Sequence, residues 1–231
     1  MSTFLVIGGS SGIGFQVVND LAESGHIVYA SYCNKQVNIT NPSVRYFQLN
    51  VLDENLIFDQ LPEAIDGIVY CPGNVNLKPF SRIQPSEFSS DFNLQVLGAI
   101  KVIQAVLPKL KAAESASIVL FSTVAVKIGL SFHSLVSTSK GAIEGLTKAL
   151  SAEFAPKIRV NCVAPSLTDT PLVEGLLNTE QKIEANAQRH PLKRIGNVND
   201  ISSVVTFLLS GHSSWITGQV FHVDGGMSSI K

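Results

Sequence analysis

Cysteine is scarce in this 231-residue chain: there are three, Cys33, Cys71 and Cys162, far apart in sequence. So few, and an odd number, argue against a disulfide framework. Their spacing matches no metal-ligand pattern, so a reducing cytoplasmic setting and no bound metal are expected. An excess of one charge is also lacking. Lysine and arginine total 17 against 18 acids, a formal net charge of −1, which gives no electrostatic case for nucleic acid or an anionic membrane surface. The opening run "MSTFLVIGG" has no basic flank and is far too short to span a bilayer. Tyrosine is rare, and all four, Tyr29, Tyr32, Tyr46 and Tyr70, lie in the first third of the chain.

Apolar residues make up 45% of the sequence and charged residues 15%. That balance favours a compact globular protein, and 231 residues are most simply one domain, 1–231. Short apolar runs alternate with helical patterns. Strands are expected at 4–8, 27–31, 44–51, 67–71, 116–122, 158–164 and 218–225. Helices are expected at 12–24, from near Asp53, at 86–111, 134–154 and 200–210, with Pro85 and Ser86 starting the long one. Residues 171–197 are more polar and read as a helical excursion or lid. Strand–helix alternation with continuous apolar strands means an α/β protein with a parallel sheet covered on both faces. Such sheets bind ligands at the carboxyl ends of their strands.

"GGSSGIG" (8–14) falls between the first strand and its helix. Gly8 suits a tight turn, Gly12 a close backbone approach to a pyrophosphate, and Gly14 close packing of helix on strand. The free N–H groups of the helix start attract phosphate. A glycine loop alone equally marks a plain strand–helix turn; the strand–loop–helix context is what points to a dinucleotide.

From this loop onward the chain resembles the short-chain dehydrogenase/reductase family. "YCPG" (70–73) stands where that family has N-N-A-G, and "FNLQVLG" carries Asn93 at the position taken for the catalytic asparagine. "IVLFSTVA", "STSKGAIEGLTKAL", "RVNCVAPSLTDTPL" and "WITGQVFHVDGG" follow in the family's order. The resemblance implies a Rossmann-type doubly wound sheet of about seven strands and a nicotinamide dinucleotide cofactor. It implies a small-molecule substrate and a homodimer or homotetramer. It places Ser10, Ser11 and Ile13 on the cofactor with the three loop glycines. Asn50 and Val51 fall at the adenine, Cys71, Pro72 and Gly73 beside the cofactor, and Pro165, Leu167 and Thr170 around the nicotinamide and pyrophosphate. An acid after the second strand would select NAD; "SYCNK" (31–35) has none. Tyr32 can stack near the adenine, and Asn34 and Lys35 can meet a 2′-phosphate, so NADP(H) is favoured and NAD remains possible.

The resemblance also exposes a gap. In the family a tyrosine moves the substrate proton, and a lysine four residues later bonds the nicotinamide ribose and lowers the tyrosine pKa from about 10. A serine thirteen residues upstream of the tyrosine holds the substrate oxygen. Here the lysine is Lys140, the serine position is Thr123, and the tyrosine position is Val136. A valine transfers no proton. His133, seven residues before Lys140, is a candidate replacement, since an imidazole titrates near neutral pH. Ser166 replaces the glycine that follows Pro165. Three readings stay open: a reductase with a non-tyrosine donor, a catalytically silent dinucleotide-binding protein or partner subunit, and a non-redox lyase.

Overall fold

The computed structural model describes residues 1–34, 37 and 41–230. Lys35 lies outside them. Seven strands form one sheet: β1 (Thr3–Ile7), β2 (Ile27–Tyr32), β3 (Val44–Gln48), β4 (Gly67–Tyr70), β5 (Ala116–Phe121), β6 (Ile158–Pro165) and β7 (Val220–Val223). Their spatial order is β3-β2-β1-β4-β5-β6-β7, and every pairing is parallel. The order reverses between β1 and β4, so a crevice opens there at the carboxyl ends of the strands.

The period-2 pattern sorts side chains to two cores. On one side of the sheet, Leu5, Ile7, Ile68, Ile118, Leu120 and Ile158 pack beneath α3 (Gly98–Ala112) and α5 (Ser134–Phe154). On the other, Phe4, Val6, Val28, Val69, Val119 and Val163 pack beneath α1 (Gly12–Glu23) and α6 (Val198–Leu209). Alternate residues of β1 thus serve opposite cores, which is why the strand is apolar throughout.

Two expectations fail for local reasons. No helix starts at Asp53. The side chain of Asn50 accepts from Leu52 N–H and donates to Asp53, and the amines of Lys101 and Lys109 take the carbonyls of Asp53, Leu61 and Pro62. Side chains therefore satisfy backbone groups that a helix would have paired internally. Phe58, Leu61 and Ile65 still bury themselves one at a time.

The expected long helix is also not uniform. α2 (Pro85–Phe92) runs into a π-helical turn at Asn93–Leu97 before α3 resumes the α-helical pitch. Its N-cap is Gln84, ahead of Pro85, and not Ser86. Wide turns of this kind concentrate at functional sites. This one is braced from the sheet: the Tyr70 hydroxyl donates to the Leu94 carbonyl at 2.6 Å. Burial pushes that phenol's pKa well up, so it stays a neutral donor. Tyr70→Phe should lower stability by about 1–3 kcal/mol, the cost of leaving one buried acceptor unpaired. Urea unfolding of the two proteins checks this; an unchanged midpoint would show that the brace is dispensable.

Candidate active site

The strand ends, the glycine loop and the lid enclose a cleft of about 820 Å³. Lys140, Lys182 and Arg189 line it, with His133 and His190, and no aspartate or glutamate does so among the described residues. The cleft thus suits an anionic ligand.

One end is the glycine loop. β2 ties it down: Gly8 N–H donates to Ser31 Oγ at 3.0 Å and Gly9 N–H to the Ser31 carbonyl at 2.9 Å. From β3, the Tyr46 hydroxyl donates to the Gly9 carbonyl at 2.8 Å, and burial pushes its pKa up to about 12. α1 then packs so tightly that a Cβ at Gly14 would lie 2.3 Å from the Gly8 carbonyl oxygen. Ser11, the N-cap, makes no side-chain cap bond, so the first-turn N–H groups of α1 are left to a ligand.

The opposite wall is α5. It carries Val136, 4% exposed, and one turn later Lys140. The Ser122 hydroxyl donates to Glu144 Oε1 at 2.6 Å, which pins the end of β5 to the turn after Lys140. The Lys140 amine has no hydrogen-bond partner among the described residues. Burial lowers its pKa to about 8, against smaller upward effects of Cys162, Asp91 and Cys71. Thr123 Oγ accepts from Ala125 N–H at 3.3 Å as the N-cap of the short helix α4 (Val124–Ile128), which leaves its own hydrogen for the cleft. His133 turns Nδ1 to the Ser131 carbonyl at 2.7 Å. A carbonyl only accepts, so Nδ1 carries hydrogen and Nε2 is the free nitrogen. Burial raises the Cys71 thiol to about 12, so this residue packs and does not act as a nucleophile.

The structure brings to the cleft Thr123, His133, Lys140, Gly8, Ser10, Ser11, Gly12, Ile13, Gly14, Asn34, Asn50, Val51, Cys71, Pro72, Gly73, Pro165, Leu167 and Thr170. It does not bring Asn93 or Tyr32 there. Asn93 is exposed on the far side of the π turn. The residue aimed inward is Gln95, fully buried. Its Nε2 donates to Asp91 Oδ2 at 2.8 Å, where the Ser139 hydroxyl also donates, and its Oε1 has no partner among the described residues. A Cβ at Gly73 would lie 3.1 Å from Gln95 Oε1 and 3.6 Å from Lys140 Nζ, so the absent side chain at 73 lets both groups converge. The buried series Leu110, Val106, Val102, Ala99, stepped back by one more turn, reaches residue 95 and misses 93; that was the signal in the sequence. Near the lid, Ser166 Oγ stands 2.8 Å from Nε2 of the buried His190.

The geometry fits a dinucleotide: a braced glycine loop, open helix N–H groups, an unpaired amine and an acid-free wall. Comparison with known proteins agrees. Residues 8–228 match the family model described as enoyl-(acyl carrier protein) reductase. A tropinone reductase homolog of Arabidopsis thaliana is 34% identical over 98% of this chain and 92% of its own. One from Datura stramonium is 30% identical over 97% and 91%. The ligand-free aldohexose dehydrogenase of Thermoplasma acidophilum superposes with a TM-score of 0.91 at 27% identity, covering 98% of this chain and 94% of the other. This chain belongs to the short-chain dehydrogenase/reductase family, a class of NAD(P)-dependent oxidoreductases. No helix among the described residues is long and apolar enough to cross a membrane.

The Lys140 shift has a thermodynamic consequence. Its folded pKa lies below its unfolded value of 10.5, so the cost of burying its charge is complete below about pH 8. The cost fades as pH rises from about 8 to 10.5. Without cofactor, Lys140→Met should be more stable than the native chain at pH 7, and the difference should shrink by pH 10. Urea midpoints at the two pH values measure it; a constant difference would contradict the shift.

Proposed function

We propose that this protein catalyses NADP(H)-linked reduction of a small carbonyl, enone or imine, with a proton donor other than tyrosine. The observation that carries the reading is the unpartnered Lys140 amine, facing the cleft one turn beyond Val136. A half-buried ammonium in a cleft lined by no carboxylate among the described residues is a ready partner for an anionic or hydroxyl-bearing ligand. The cofactor, when bound, supplies the hydride. Its phosphates would lie on the N–H groups at Gly12–Gly14 and its nicotinamide ribose on Lys140. Its carboxamide would lie near Leu167 and Thr170. Thr123 is free to donate to the substrate oxygen.

NADP(H) is preferred over NAD(H) on this reading because Cys33 and Asn34, not an acid, line the cleft where the second ribose would sit. A tyrosine-to-phenylalanine variant of ElxO is known with NADPH bound. It superposes with a TM-score of 0.88 at 25% identity over 99% of this chain and 100% of its own. ElxO thus holds NADPH with a phenylalanine in place of one of its tyrosines. A lost general acid costs roughly 10²–10⁴-fold in rate, about 3–5 kcal/mol, and conjugated alkenes or iminium ions demand less of a donor than ketones do. Val136 also favours a second reading, a silent dinucleotide-binding subunit. On the same reading the chain works as a homodimer or homotetramer.

Fluorescence titration of protein stripped of nucleotide decides between these. Micromolar NADPH affinity is expected, with NADH at least tenfold weaker and Lys140→Met at least tenfold weaker for NADPH. Consumption of NADPH with any ketone, enone or imine establishes the reductase. Tight binding without turnover supports the silent subunit, and no binding of either nucleotide overturns the oxidoreductase reading.

A further inference from the structure

We propose that Ser166 is the proton donor of this cleft, with His190 recharging it from behind. The inference rests on the reductase reading above. β5 and β6 are neighbours in register, Phe121 beside Val163, and Ser122 N–H donates to the Val163 carbonyl at 2.8 Å. Thr123 and Ser166 therefore leave adjacent strand ends, and neighbouring strands lie about 4.8 Å apart. Both line the cleft. The Ser166 backbone is fixed, its N–H donating to the Val223 carbonyl at 3.3 Å and its carbonyl accepting from Thr168 Oγ at 3.1 Å.

His190 is 3% exposed and held at both nitrogens. Nδ1 lies 2.8 Å from the Asn186 carbonyl, so it carries hydrogen. Nε2 lies 2.8 Å from Ser166 Oγ. In the neutral ring Nε2 accepts from the serine. In the doubly protonated ring Nε2 donates to Oγ, and the serine hydrogen turns toward the cleft.

The step then balances. As hydride from a dihydronicotinamide reaches the substrate carbon, the substrate oxygen takes the Ser166 hydrogen. Ser166 Oγ takes the Nε2 proton, and the ring is left neutral with hydrogen on Nδ1. No charge remains on the serine. The charged groups nearest in the chain are Arg189 and Lys193, and Asp224 precedes Gly225, where an added Cβ would lie 3.6 Å from the ring. The Asp224 carboxylate is engaged by Gly226 and Ser228 N–H. The His133 ring, by contrast, meets only the Ser131 carbonyl among the described residues.

The test compares the native chain with Ser166→Ala, Ser166→Thr and His190→Gln, using NADPH and whichever carbonyl or enone the native chain reduces. Ser166→Ala and His190→Gln should lower kcat about 10²-fold or more with KM and NADPH affinity within about threefold. Ser166→Thr, which restores the hydroxyl, should recover to within about tenfold of native. In unliganded protein, ¹⁵N-histidine NMR should show the Nε2 signal of one histidine displaced by Ser166→Ala. Native turnover with Ser166→Ala equally active overturns the donor role alone, as does a histidine spectrum that Ser166→Ala leaves unchanged. NADPH binding with no native turnover sinks the reductase reading and the donor role together.

Discussion

The amine of Lys140 sits in a largely apolar cleft with no hydrogen-bond partner among the described residues, and the surrounding packing holds it there. Ser122 and Glu144 lock the helix turn beyond it to the sheet, while Asp91, Gln95 and Ser139 stitch the same helix to α2 and the π turn. Apolar residues on the sheet face of α5, Ile143 and Phe154 among them, supply burial that offsets the cost of desolvating the cation. The result is a preorganised positive charge whose natural partner comes from outside the chain.

The frame of the molecule is written in hydrophobic periodicity, and it was readable. Helix α5 has the bounds that its pattern implied, and the seven strands stand within a few residues of their apolar runs. The missing helix near Asp53 has a local cause: side chains that compete for backbone groups leave no periodic trace. Asn50, Lys101 and Lys109 cancel a helix that composition alone allowed. Asn93 was expected from the motif around it, whereas the helical spacing of Leu110, Val106, Val102 and Ala99 leads back to Gln95 and leaves Asn93 exposed. Tyr32 ends β2 outside the cleft, while its neighbours Ser31 and Cys33 line it.

The site itself was legible where it depends on glycine and lysine, whose roles follow from space and charge. It was opaque where it depends on pairs distant in sequence. Ser166 and His190 are 24 residues apart, and only the return of the chain from the lid to the end of β6 makes them neighbours. Nor does anything local announce that Ser31 and Tyr46 hold the glycine loop from two different strands.

The brace between Tyr70 and the π turn has a consequence for how this sequence can drift. A Cβ at Gly98 would stand 2.3 Å from the Tyr70 hydroxyl oxygen, inside any permitted contact. The phenol and the missing side chain are therefore one inheritance unit. Any larger residue at 98 becomes tolerable only in a background that has already given up the hydroxyl at 70. A lineage that loses the pair must find another group to cap the Leu94 carbonyl.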